Sequence, residues 1–262
     1  MTSKSCNRIR FITYQLPVIL GYFLLTASPT WAWEPWSYIA EPIDGRVLDK
    51  ETGQPIEGAV VVANWELAKP PEGNTDAWVI IETVTEADGR YHIPGWGPKT
   101  RPWFRWFDHQ DPNLIVFKPG YWHESYSNGD PYFLRGTNPP GAKIRKSYWN
   151  GRDISLVPFR MGQEIEQGEI FNFPEMTHDD KTKKIKMTEE KWVDQLQNVQ
   201  LSVDWSGGRS DEWGEKEWLR IKTLIRAINE ECTKLSPQRR IGLTGVPKKY
   251  RASILGDVAP CP

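Results

Sequence analysis

Ile43-Asp44-Gly45-Arg46-Val47-Leu48-Asp49-Lys50-Glu51-Thr52-Gly53-Gln54-Pro55-Ile56-Glu57-Gly58-Ala59-Val60-Val61-Val62-Ala63 is the stretch on which the fold turns. Ile43 to Leu48 reads as a strand, and Asp49 to Gly53 as a turn whose glycine supplies a positive φ at no steric cost. Gly58 to Trp65 reads as a second strand. Its centre, Ala59 to Ala63, is apolar on both faces, as suits a strand in the middle of a sandwich. Outward from here the chain continues in short strands: Ala77–Thr85, Arg90–Ile93 after the tight turn Glu86-Ala87-Asp88-Gly89, Leu114–Phe117 and Asp153–Phe159. Lys69 to Asn74 is a Pro-rich loop. Six strands, with room for a seventh in the irregular stretch before Asn150, indicate a mainly β chain built as a sandwich of two antiparallel sheets. Two long aromatic-rich insertions, Pro94–Asp111 and Trp122–Asn150, interrupt it.

Three blocks in this region carry a resemblance. Gly45-Arg46-Val47-Leu48-Asp49 followed by Thr52-Gly53-Gln54-Pro55-Ile56-Glu57-Gly58-Ala59-Val60-Val61 is similar to the opening of a carboxypeptidase regulatory-like domain. Thr83-Val84-Thr85-Glu86-Ala87-Asp88-Gly89-Arg90-Tyr91 resembles that family's central Thr-Asp-x-x-Gly-x-Tyr/Phe element, with Glu86 where Asp is usual. Phe117-Lys118-Pro119-Gly120-Tyr121 resembles its later Gly-Tyr corner. The blocks fall in the family's order within residues 42–159. The resemblance implies a seven-stranded, prealbumin-like (transthyretin-like) β-sandwich and a non-catalytic binding or scaffolding role in the cell envelope.

The N-terminus reads as an export signal. Lys4, Arg8 and Arg10 form a basic start, Phe11 to Ala27 is apolar, and Thr30-Trp31-Ala32 offers small residues at a cleavage site. Residues 1–32 are therefore expected to be a signal peptide, with an uncleaved anchor as the alternative; export would place the protein in the periplasm or outside the cell. Residues 1–32 hold three of the 33 Lys and Arg and none of the 34 acidic residues, so their removal takes the net charge from −1 to −4. That balance argues against a nucleic-acid partner. Cys232 and Cys261 remain, and an oxidising compartment lets them pair; the alternative is two reduced thiols with Cys232 in a core.

Beyond Phe159 the pattern changes from strands to helices. Residues 161–262 read as a helical extension packed on the sandwich, which occupies 33–160. Trp192, Leu196 and Val199 recur at helical spacing after Thr188-Glu189-Glu190, and Trp218, Ile221, Ile225, Ile228, Cys232 and Leu235 share one face of a second helix. Such a stripe fits packing on the chain's own domain more readily than a foreign partner.

Catalytic signatures are sparse. The four histidines, His92, His109, His123 and His178, form no zinc-ligand spacing, and His123 and Glu124 would point apart on a strand. The related hydroxyisourate hydrolases begin with His-Val-Leu-Asp and end in Tyr-Arg-Gly-Ser. Here Arg46 replaces that His, and Tyr250-Arg251-Ala252-Ser253 carries Ala for Gly. No phosphate-binding glycine loop is present. The sequence thus assigns no catalytic residue, no metal and no cofactor; the rival reading is a hydrolase or metal-dependent enzyme with a site between sandwich and extension. Trp96, Trp103, Trp106 and Trp122, with Arg101 and Arg105, are the candidate ligand-binding residues. Aromatic loops of this kind stack on sugars or anchor a protein partner. Their partner would be a glycan or an envelope protein, and no membrane span is expected in the mature chain. The competing expectation is that these rings fold back as a small core against the C-terminal helices.

Overall fold

The strands of the computed structural model follow the alternation of the sequence. In chain order they are β1 (Ser37–Ala40), β2 (Ile43–Asp49), β3 (Val60–Lys69), β4 (Asn74–Val84), β5 (Arg90–Ile93), β6 (Trp96–Thr100), β7 (Trp106–Phe107), β8 (Asn113–Phe117), β9 (Glu124–Tyr126), β10 (Gly129–Asp130), β11 (Arg135–Gly136), β12 (Ile144–Arg145), β13 (Arg152–Leu156), β14 (Glu164–Glu166) and β15 (Lys184–Lys186). The structure describes residues 37–69, 74–107, 110–130, 135–139, 141–170, 176–207, 214–240, 246–256 and 261. The expected signal peptide and His109 lie outside these.

One sheet has the order β13-β2-β5, a larger one β4-β3-β8-β9 with β7 on the end of β3, and a small third sheet β12-β1-β6. Side chains from alternate positions of all three meet in one core: Tyr38 and Ala40, Ile43 and Val47, Val61, Ala63 and Trp65, Tyr91 and Ile93, Leu114 and Val116, Ile154 and Leu156. The strands outnumber the seven expected, and they are not all antiparallel. β13 runs parallel to β2, and β12 parallel to β1. Parallel partners need a long crossover, and about a hundred residues separate β2 from β13. Residue alternation marks a strand's faces but not its direction, so this mixed layout was hidden in the sequence.

The three sequence blocks converge on one corner. The Asp49 carboxylate accepts from the backbone N–H of Glu51 and Thr52, both at 2.9 Å, and from the Tyr121 hydroxyl at 3.0 Å. Buried Thr85 accepts from Ala59 N–H at 2.8 Å and donates to the Ile56 carbonyl at 2.6 Å. Gly89 has φ of 76°, and a Cβ there would sit 2.6 Å from the Val47 carbonyl, so both conformation and space demand glycine. In the turn that follows Thr85, the Asp88 carboxylate accepts from Arg90 N–H at 3.0 Å.

The second face of β3 explains its doubly apolar run. Val60 and Val62, with Ile80, Ile115 and Phe117, pack on Trp192, Leu196, Leu224, Ile225 and Ile228. These belong to helices Glu189–Gly207 and Lys222–Lys234. Each large side chain so buried stabilises the fold by about 1.5–3 kcal/mol. Glu82 of β4 fastens the second helix: its carboxylate accepts from Thr223 and Leu224 N–H at 3.0 and 2.7 Å. Cys232 and Cys261 form a disulfide with Cα atoms 6.0 Å apart.

The second insertion is stitched by side chains. Asn128 and Asn138, both buried, each donate to the carbonyls of Asp111 and Lys146. Beside them Asp111 and Arg145 form an ion pair with both side chains only 2% exposed. Hydrogen bonds from asparagine to backbone here replace the ladder that longer strands would supply.

Candidate functional site

The first insertion leaves the body of the protein as β6 and returns as β7. β6 pairs antiparallel with β1, Thr100 opposite Ser37, and β7 with the end of β3, Phe107 opposite Leu67. Between them lies the loop Arg101–Arg105. The Arg101 guanidinium donates to the Arg105 carbonyl and closes it. Both roots of the loop are therefore held by sheets.

Within this insertion the aromatic residues divide into two sets. Trp96 packs edge-on against Trp65 and Trp78 at 5.5 and 5.4 Å, and Phe107 against Trp78 and Tyr38 at 5.3 and 4.7 Å. This is the small core that sequence reasoning weighed, but it forms on β1, β3 and β4, not on the C-terminal helices. Trp103 and Phe104 instead stand 72% and 77% exposed at the loop's tip, and Trp106 is 40% exposed. Phe104 has φ of 56°, the left-handed region where a side chain other than glycine's is held at a cost. The two tip rings are 6.2 Å apart and tilted by 54°. They form a wedge rather than a flat platform.

Trp122 is not part of this surface. It is buried and stacks on Phe159, which in turn meets Trp192 of the Glu189–Gly207 helix at 4.4 Å. Of the tryptophans in the expected set, only Trp103 and Trp106 offer substantial surface, with Arg101 and Arg105 beside them. Sequence reasoning missed two further exposed apolar residues. Ile39 and Ile144 are 45% and 47% exposed and face each other as register partners of β1 and β12, in the sheet that carries β6. An apolar residue paired across two short strands was the available signal, but β12 lay in a stretch read as irregular.

The outer face of β13-β2-β5 is polar. A cleft of 590 Å³ is lined by Asp44, Arg46, Arg90, His92 and Asp153, among others. His92 Nδ1 lies 2.7 Å from Asp44, and Arg46 holds Asp153 through two bonds of 3.0 and 2.7 Å. These pairs are well exposed and contribute little to stability. Among the described residues that line it there is no Ser, Thr or Cys beside the His–Asp pair. The Tyr250-Arg251-Ala252-Ser253 segment lies in helix Lys248–Leu255, packed with the helices beyond the larger sheet. The sandwich core therefore stands between it and Arg46.

His123 and Glu124 do point apart. His123 contacts Gln195 of the helix, and burial lowers its pKa. Glu124 lies beside Tyr126, and burial pushes its carboxyl up to about 7 against the pull of Lys50 and Tyr126. Among the described residues no three His, Cys, Asp or Glu side chains come together as a metal site. Nor, among them, is any helix long and apolar enough to cross a membrane.

No known family and no curated protein matches the chain. Among solved structures it is similar to a catechol 1,2-dioxygenase from Pseudomonas arvilla C-1, with 14% identity over 47% of this chain and TM-score 0.26. It spans 53% of that enzyme's length. A group B streptococcus pilus 2b backbone protein matches 45% of this chain and 41% of its own at 15% identity, TM-score 0.24. A C-terminal domain of a Lactobacillus rhamnosus GG shaft pilin matches 47% and 98% at 10% identity, TM-score 0.22. With TM-scores this low, none of these proteins lends its activity to the chain.

Proposed function

We propose that this protein is an exported, non-catalytic binding or scaffolding module of the cell envelope, with its recognition surface at the Arg101–Trp106 loop. Residues 1–32 direct export, 33–160 form a prealbumin-like sandwich, and 161–262 form a helical layer that braces it. One observation carries the reading: Trp103 and Phe104 are held out in water, 72% and 77% exposed, on a loop anchored at both ends. Large rings in water forgo about 1.5–3 kcal/mol each of burial, and Phe104 adds backbone strain. An exposed apolar cluster of this kind marks an interaction site.

The test is retention of residues 33–262 on isolated cell envelopes. The double variant Trp103→Ala/Phe104→Gly is expected to lose at least about tenfold in retention, while Met161→Ala, which removes an exposed apolar side chain elsewhere, retains it. Both changes fall in water-exposed positions, and glycine suits the φ at 104, so the fold is preserved. Equal retention of the double variant and the parent would remove the loop from the function.

A further inference from the structure

We infer that the protein holds a second binding site, a cleft between the sandwich and the helical extension that takes a small organic cation: a protonated amine with an apolar body. The cleft has a volume of 430 Å³. In it Gly120 and Phe159 of the sandwich face the start of helix Glu189–Gly207 and the end of helix Lys222–Lys234. Phe159, Trp192 and Leu235 make its apolar wall. Trp192 and Leu235 are buried, and the rings of Phe159 and Trp192 meet at 4.4 Å.

The charged groups of the lining select the ligand. Glu231 is buried, and its carboxylate is held from two sides: Trp192 Nε1–H donates to one oxygen at 3.2 Å and Lys234 Nζ to the other at 2.7 Å. Glu189 accepts from the backbone N–H of Ser236, and bonds from Ser236 keep its carboxyl below the ordinary value, hence ionised at neutral pH. A carboxylate offers about four acceptor positions, so both glutamates keep room for a further donor. Against these two carboxylates the lining sets one ammonium, Lys234, which leaves a net charge of −1. Lys234 also stands 3.1 Å from Glu230 and is shared between two glutamates. The Arg239 guanidinium lies 3.8 Å from Glu189, beyond hydrogen-bond length.

An apolar wall keeps water away and strengthens the field of this uncompensated charge. An anion entering the cleft meets two carboxylates and is repelled. A neutral apolar molecule takes water from the carboxylates without replacing its hydrogen bonds. An inorganic cation gains nothing from Phe159, Trp192 and Leu235. An organic amine answers both features: its N–H groups reach Glu189 and Glu231 while its body lies on the apolar wall. The cleft shares no residue with the Arg101–Trp106 loop, so the two sites are tested separately.

Residues 33–262, which contain all three hydrophobic clusters of the fold, are titrated with phenethylamine and with two near-isosteres, neutral 2-phenylethanol and anionic phenylacetate. Binding is read by calorimetry and by the indole N–H resonance of Trp192. The amine is expected to bind at least about tenfold more tightly than either isostere and to move that resonance. Glu189→Gln, which keeps an acceptor for Ser236, is expected to weaken amine binding about tenfold. Lys234→Gln, which removes the positive charge but keeps a donor for Glu231, is expected to strengthen it. These opposite signs separate recognition of charge from damage to the fold. Trp103→Ala/Phe104→Gly is expected to bind the amine as the parent does. An amine that binds no more tightly than the alcohol, or whose affinity Glu189→Gln leaves unchanged, would overturn the inference.

Discussion

Glu124 holds a carboxylate where water is scarce, and this makes stability depend on pH in an unusual direction. Burial raises its pKa from about 4.5 to about 7, with Lys50 and Tyr126 opposing. In the unfolded chain the group ionises near its ordinary value, so between about pH 4.5 and 7 the folded state binds more protons than the unfolded one. Its contribution to stability is therefore full below that window and is lost as pH rises through it. The loss is about 2 kcal/mol once partial solvent access is allowed for. Glu124→Gln should remove this dependence and raise stability at pH 8, as measured by urea unfolding at pH 5 and 8. An unchanged difference between the two pH values in the variant would assign the dependence to other groups. Sequence alternation showed that His123 and Glu124 face opposite ways. It could not show that Glu124 is shielded, because Glu124-Ser125-Tyr126 has the polarity of an exposed edge and the cover comes from distant parts of the chain. The same limit applies at the candidate site. Trp96 and Trp103 are alike as letters, and only their places, one on a strand facing inward and one on a turn, separate a core residue from a surface one.

The elements with strong periodicity were the legible ones. Trp218, Ile221, Ile225, Ile228, Cys232 and Leu235, which share a helical face in the sequence, are all buried. The single helix they suggest is instead Glu215–Trp218, a 3-10 turn Leu219–Ile221 and Lys222–Lys234, re-aimed where Glu82 meets the new N-terminus. The insertions were illegible because asparagine-to-backbone bonds and the Asp111–Arg145 pair leave no periodic trace. Helix Lys222–Lys234 also holds the chain's end, since Cys261 is bonded to Cys232 and its N–H donates to buried Asn229 at 2.7 Å. The crosslink closes a loop with a sequence separation of 29, which stabilises the fold by roughly 3–4 kcal/mol through the unfolded chain's entropy. Cys261→Ser should lower the urea midpoint accordingly, and reducing agent should lower the parent to the same value. A midpoint insensitive to both would show that the pair contributes nothing in solution.

Taken as a molecule, the protein is layered: a polar-faced sheet, the sandwich core, the larger sheet, then the helices. The larger sheet buries apolar side chains on both faces, and this sets what can stand alone. Removing residues 161–262 would uncover Val60, Val62, Ile80, Ile115 and Phe117 together, all buried in the intact chain. Five such side chains forgo roughly 8–15 kcal/mol of burial, comparable to the whole stability of an ordinary domain. The core between the sheets survives the cut, so strands should still form, but with these five apolar side chains uncovered on the outer face. The fragment 33–160 is accordingly expected to aggregate or to bind a hydrophobic dye while retaining β-type circular dichroism, and the intact 33–262 to remain monodisperse. Changing Val62 and Ile115 to Thr in the fragment should restore solubility, because these positions face the missing helices and not the sandwich core. A fragment that is monodisperse and cooperatively folded without those changes would mean that the helices are an attachment to the sandwich and not a structural layer of it.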